Sequence, residues 1–151
     1  MSTLDRAILI AAQAHLGQKD RAGKPYILHP LRQMMRFSTE PEQIVAVLHD
    51  VVEDSDLTLA DLRDAGFSEE IITAVDHLTR REQESYEAFV ERTLQHPLAR
   101  RIKLTDLEDN MNLTRLPSFT HADAERMARY HTAWLKLNHH ITLENQEKGK
   151  P

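Results

Sequence analysis

The chain has 151 residues, 40% of them hydrophobic and 28% charged, which suits one globular domain of ordinary size. A formal charge of −5 argues against a broad nucleic-acid surface, and the absence of cysteine excludes disulfides and thiolate metal sites. No apolar run approaches the roughly 20 residues needed to span a bilayer, and the N-terminus lacks a signal-peptide pattern. The expectation is a cytoplasmic protein with neither membrane nor nucleic-acid partner; the oligomeric state stays open.

The elements read as helix after helix. Leu4, Ile8, Ala11 and His15 recur at helical spacing, with Ser2 and Asp5 set as a capping box. Gly17 and the Gly23-Lys24-Pro25 stretch then mark a loop. In that loop Lys19, Arg21 and Lys24 gather three cations, a candidate clamp for phosphates. A short helix follows Pro30 and ends near Ser38. Thr39-Glu40-Pro41-Glu42 signals a helix start and opens the apolar run Ile44 to Val52.

Thr58 with Asp61 caps a short helix that stops at Gly66, and Ser68 precedes another carrying Ile71, Ile72, Val75 and Leu78. Ser85 opens a helix bearing Phe89, Val90 and Leu94, and Pro97 begins one that runs towards Leu113. Thr120 with Asp123 caps the last, which carries Met127, Tyr130, Trp134 and Leu137. The fold class expected is an all-α single domain over residues 1–143, followed by a polar flexible tail, 144–151.

The strongest chemical signal is His49-Asp50-Val51-Val52-Glu53-Asp54. On a continuous helix, spacings of three and four would stack an imidazole against three carboxylates. Like charges there cost roughly 0.2–0.5 kcal/mol per pair, so the arrangement asks for a cation. An exposed acidic helix end is the bland alternative. Three features weigh against it: His29 held between Leu28 and Pro30, Asp106 in the apolar stretch from Ile102, and Asn110 four residues beyond Asp106. Ligands from separate helices are how a bundle assembles a metal site.

The strings Ala14-His15-x-Gly17-Gln18, Pro25-Tyr26-Ile27-x-His29-Pro30, Leu48-His49-Asp50-Val51-Val52-Glu53-Asp54 and Lys103-Leu104-x-Asp106-x-x-x-Asn110 resemble the hydrolase domain of the RelA/SpoT family. The resemblance covers about His15 to Asn110. It implies an all-α HD-type bundle of the small alarmone hydrolase kind. Its activity would be removal of the 3′-pyrophosphate from guanosine tetra- and pentaphosphate, usually with manganese (Mn2+). It further implies that His29, His49, Asp50 and Asp106 hold the metal and that Glu53 and Asp54 position or activate water. Asn110 would contact the purine nucleotide near its ribose, and Tyr130 would line the nucleotide site. The long enzymes' synthetase and regulatory regions have no counterpart, so hydrolysis without synthesis is expected.

Some positions depart from that pattern. Where the long enzymes place a guanine-stacking arginine, nine residues before the ligand histidine, this chain has Asp20, with Arg21 one place later. Guanine versus adenine is left open. Glu108 and Asp109 add negative charge beside Asp106, which is expected to weaken binding of an anionic substrate. Two alternatives stand beside this reading: an HD-type nucleotidase acting on nucleotide monophosphates, and a non-catalytic metal-bearing nucleotide sensor. His15 reads as a helix-end packing residue, Arg80 and Arg81 as helix-end cations within possible reach of phosphate, and Trp134 as core.

Overall fold

The computed structural model describes residues 1–150. Nine α-helices follow one another among them: α1 Leu4–Ala14, α2 Leu28–Met34, α3 Glu40–Leu48, α4 Val51–Asp54 and α5 Leu59–Asp64 come first. They continue with α6 Glu69–Leu78, α7 Tyr86–Leu94, α8 Pro97–Asn110 and α9 His121–Lys148, with a 3-10 turn at Leu113–Arg115 before α9. No strand forms among the described residues; an isolated bridge between Lys19 and Pro25 is the sole extended pairing. The architecture is all-α, as the helical periodicity predicts.

Helix α3 is the axis of the molecule. Ile44 through Leu48 are all buried, so the last five residues of the helix are apolar all round, and α1, α2, α6 and α8 pack on it. A main core joins Ala7, Ala11, Val45, Leu48, Val51, Leu62, Val75 and Ile102. A second, smaller cluster of Val90, Leu94, Leu107, Ala133 and Leu137 fastens α7, α8 and α9 to one another. Helix α8 belongs to both clusters, through Ile102 in one and Leu107 in the other.

Side chains set the helix starts much as the sequence suggests. Thr58 and Asp61 form a capping box, as do Thr120 and Asp123. Ser68 and Ser85 accept from the backbone N–H groups of Ile71 and Ala88.

The details differ in four places. Thr3, not Ser2, caps α1, while Ser2 instead donates its hydroxyl to the Ala65 carbonyl and ties the N-terminus to the end of α5. The short helix expected after Pro30 begins at Leu28, so His29 lies inside its first turn. The run from Ile44 to Val52 is not one helix. It breaks at His49 and Asp50, where the His49 ring takes the Ala46 carbonyl at 2.6 Å, and restarts at Val51. Finally, α9 continues past residue 143 to Lys148, where Glu144 pairs with Arg100 and Lys148.

Candidate active site

Three helix ends and one helix face deliver the polar centre. Helix α2 supplies His29, the α3–α4 break supplies His49 and Asp50, and α8 supplies Asp106. His29 and His49 are 4% and 2% exposed, and Asp106 is 5% exposed. His29, His49 and Asp50 each offer a ligand atom within 4.8 Å of the others. Asp106 joins them. Its Oδ1 lies 2.9 Å from His29 Nε2 and 3.4 Å from His49 Nε2. Asp50 Oδ2 lies 3.1 Å from His49 Nε2 and 3.7 Å from His29 Nε2.

Each imidazole is oriented through its other nitrogen. Nδ1 of His49 donates to the Ala46 carbonyl at 2.6 Å, and Nδ1 of His29 donates to Asp109 Oδ2 at 2.6 Å. That fixes both rings with Nε2 pointing inward, the arrangement in which a histidine ligates a metal. The donor set is two imidazole nitrogens and two carboxylates, and it fits a divalent cation with positions left over for solvent and substrate oxygens.

The electrostatics express the same need for positive charge. Burial acts to strip the protons from His29 and His49, but the adjoining carboxylates win and raise both pKa values. Burial likewise opposes ionisation of Asp50, yet His49 beside it holds its pKa down to about 2. Asp106 is held well below the usual carboxylate range against its burial, chiefly by Lys103, whose ammonium lies 2.8 Å from Oδ2. Tyr26 donates its hydroxyl to Asp50 Oδ2 at 2.5 Å. Burial and the Asp50 charge keep that phenol protonated.

Glu53 and Asp54 sit on α4 with exposed side chains, one turn past Asp50. The Arg80 backbone N–H donates to Glu53 Oε1 at 2.7 Å and anchors it. Desolvation by the surrounding protein, then the charges of Asp50 and Glu53, push Asp54 up to about 6. Glu53 is raised for the same first reason. A carboxylate raised as far as Asp54 suits proton acceptance near neutral pH.

Beside His29 opens a cavity of about 220 Å³. Of the expected nucleotide-contacting residues, Lys19, Arg21, Asn110 and Tyr130 line it. Lys24 does not; its side chain is exposed, and its backbone is tied to Asp20 at 2.8 Å. Asn110 donates its amide to Asp106 Oδ1 at 3.0 Å, bridging the histidine–aspartate cluster and the cavity. Asp20 shapes the loop, accepting from the backbone N–H groups of Ala22 and Lys24. Arg21 is largely exposed and meets Asp123 at 3.3 Å.

No family model matches the chain. Among curated proteins, it is 30% identical over 120 residues to a guanosine-3′,5′-bis(diphosphate) 3′-pyrophosphohydrolase of Aquifex aeolicus, covering 72% of this chain and 17% of that protein. A protein of the same name from Vibrio cholerae is 38% identical over 85 residues, covering 53% and 12%. A GTP pyrophosphokinase of Streptomyces coelicolor is 32% identical over 125 residues, covering 74% and 15%. The chain thus matches less than a fifth of the length of these relatives. A solved metazoan ortholog of SpoT superposes with a TM-score of 0.73 at 18% identity, covering 97% of this chain and 95% of that one. The chain is an HD-type helical domain related to the RelA/SpoT-type hydrolases.

Within this HD domain, sequence reasoning missed the partners that make the site rigid. Asp109, expected as loose negative charge, is neutralised from three sides: by His29, by a two-point contact from Arg32 at 3.0 Å and by Arg115 at 3.2 Å. Glu108 is likewise taken up by Arg36 at 2.6 Å and by the Trp134 indole at 2.9 Å. Neither carboxylate therefore confronts an anionic substrate with a free charge. His15 is a buried helix-end residue as expected, bonded to Gln18, whose amide also donates to the Asp54 carbonyl at 2.7 Å. Arg80 bonds the Glu84 carbonyl in its own loop, and Arg81 reaches back to Asp76 on α6.

Proposed function

We propose that the chain is a metal-dependent 3′-pyrophosphohydrolase that removes pyrophosphate from guanosine tetra- or pentaphosphate, or a close purine analogue, in the cytoplasm. The observation that carries this reading is the convergence of His29, His49, Asp50 and Asp106 beside a cation-lined cavity. The related proteins' names supply the substrate class.

In this reading the four side chains hold one divalent ion, with manganese as the first candidate. When bound, the ion supplies Lewis acidity towards a phosphate oxygen and lowers the pKa of water. The chain's own residues do the rest. Glu53, anchored on the Arg80 amide, and Asp54, anchored through its carbonyl on Gln18, present carboxylates that orient the attacking water and take its proton. Lys103 holds Asp106 Oδ2, leaving Oδ1 turned towards the histidines. Lys19 and Arg21 attract the phosphates electrostatically, and Asn110 and Tyr130 receive the nucleoside.

The test is direct. Purified protein, stripped with a chelator and restored with Mn2+, is incubated with guanosine 3′,5′-bis(diphosphate) and with nucleoside monophosphates. Pyrophosphate and guanosine 5′-diphosphate as products support the proposal. Orthophosphate released from monophosphates alone would replace it with the nucleotidase reading, and tight binding without turnover with the sensor reading.

A further inference from the structure

Three guanidinium groups of the cavity lie outside both the loop clamp and the ligand set; Arg126 is taken up by Asp123, which leaves two that hold Asp109. Arg32 reaches from α2 and Arg115 from the 3-10 turn, and both line the cavity. Both grip Asp109, Arg32 through Nε and Nη2 and Arg115 through Nη2, which also donates to the Asp109 carbonyl at 2.8 Å. Two cations on one carboxylate leave a net positive charge there. The grip also leaves donors over. Nη1 of Arg32, and Nε and Nη1 of Arg115, have no hydrogen-bond partner among the described residues. The side chains are 35% and 32% exposed.

Position gives these donors their meaning. Asp109 bonds to Nδ1 of His29, on the opposite side of that imidazole from the Nε2 that faces Asp50 and Asp106. A phosphate at the metal centre is therefore separated from Arg32 and Arg115 by the His29 ring and the Asp109 carboxylate.

We infer that Arg32 and Arg115 form a second phosphate subsite, which binds the diphosphate that is not cleaved. The inference rests on the hydrolase reading above and adds a specificity rule to it. The chain selects nucleotides bearing phosphate at two separated positions, and Asp109 pre-orders both guanidiniums so that little side-chain entropy is lost on binding. Planar forks fixed by a carboxylate recognise phosphate better than free lysines do.

The experiment compares wild type, Arg32→Gln, Arg115→Gln and Arg115→Lys, each checked by thermal unfolding. KM and kcat are measured with guanosine 3′,5′-bis(diphosphate) and with guanosine 3′-diphosphate, which lacks the distal group. Calorimetry measures binding of guanosine 5′-diphosphate to the metal-free chain. The glutamine variants should raise KM about tenfold or more for the bis(diphosphate) and little for the 3′-diphosphate, with the guanosine 5′-diphosphate Kd weakened in parallel. Arg115→Lys should recover part of both losses.

An equal rise in KM for both substrates would overturn the inference, since it would mark a structural role through Asp109. So would a guanosine 5′-diphosphate Kd within twofold of wild type. If one glutamine variant does not fold, the other carries the comparison. If wild type cleaves neither substrate, the hydrolase reading fails, while the calorimetric arm still decides for or against the subsite.

Discussion

Asp109 Oδ2 accepts the Nδ1 proton of His29 at 2.6 Å, so a residue from α8 fixes the tautomer of a candidate ligand on α2. Partners of this kind typically govern metal affinity by about 10–100-fold. Asp109→Asn should therefore weaken Mn2+ binding within that range while the circular dichroism spectrum stays helical. A titration of metal-free protein reads the effect directly, and unchanged affinity would show that the bond is structural only.

Metal binding should also stabilise the fold, because the unfolded chain lacks the site. At a free metal concentration 100 times Kd the gain is about 2.7 kcal/mol, or a rise in Tm of roughly 5–10 °C for a chain of this size. Asp50→Asn should abolish both the Mn2+-dependent rise and turnover. A rise that survives the substitution would place the metal elsewhere.

The acidic pair on α4 should behave differently from the ligands. Glu53→Gln and Asp54→Asn are each expected to lower kcat by about 10²–10⁴-fold. Neither should remove the Mn2+-dependent shift in Tm, since both side chains stand outside the converging ligand atoms. Loss of metal binding together with activity would make them ligands instead.

The loop that presents the Arg80 amide to Glu53 is pinned by Arg92, which contacts Glu84 and the Asp76 and Thr79 carbonyls. The Arg92 hydrogen bonds depress the Glu84 pKa to about 2 from an ordinary value of 4.5. A depressed carboxylate contributes stability above its unfolded pKa and loses it as pH falls through the folded one. Glu84→Gln should thus cost up to about 1 kcal/mol at pH 7, because solvent beside the pair screens it. The gap between wild type and variant should narrow below pH 4.5 and close near pH 2. Urea unfolding across that range measures it, and a gap that persists at the acid end would point to packing.

Much of this was readable from the residues because it is local. Thr58 with Asp61, Ser68, Ser85 and Thr120 with Asp123 mark helix starts through bonds that span three residues, and such bonds are written in the sequence. The candidate ligands were legible as motifs too, and the fold brings all four together. What escaped is tertiary. Nothing in the spacing joins Arg32 to Asp109, 77 residues apart. The break at His49 depends on a ring turning back onto the Ala46 carbonyl, which apolar periodicity cannot register.

Helix α9 lends Arg126, Met127 and Tyr130 to the cavity, yet it packs chiefly on α7 and α8 and belongs to the smaller cluster. The histidines instead belong to helices of the main core. One wall of the cavity is thus carried by the smaller cluster, and α8, with Leu107 in that cluster and Asp106 at the polar centre, couples the two. Repacking around Leu137 or Ala133 would reshape that wall, with Leu107 passing the strain to the helix that carries Asp106.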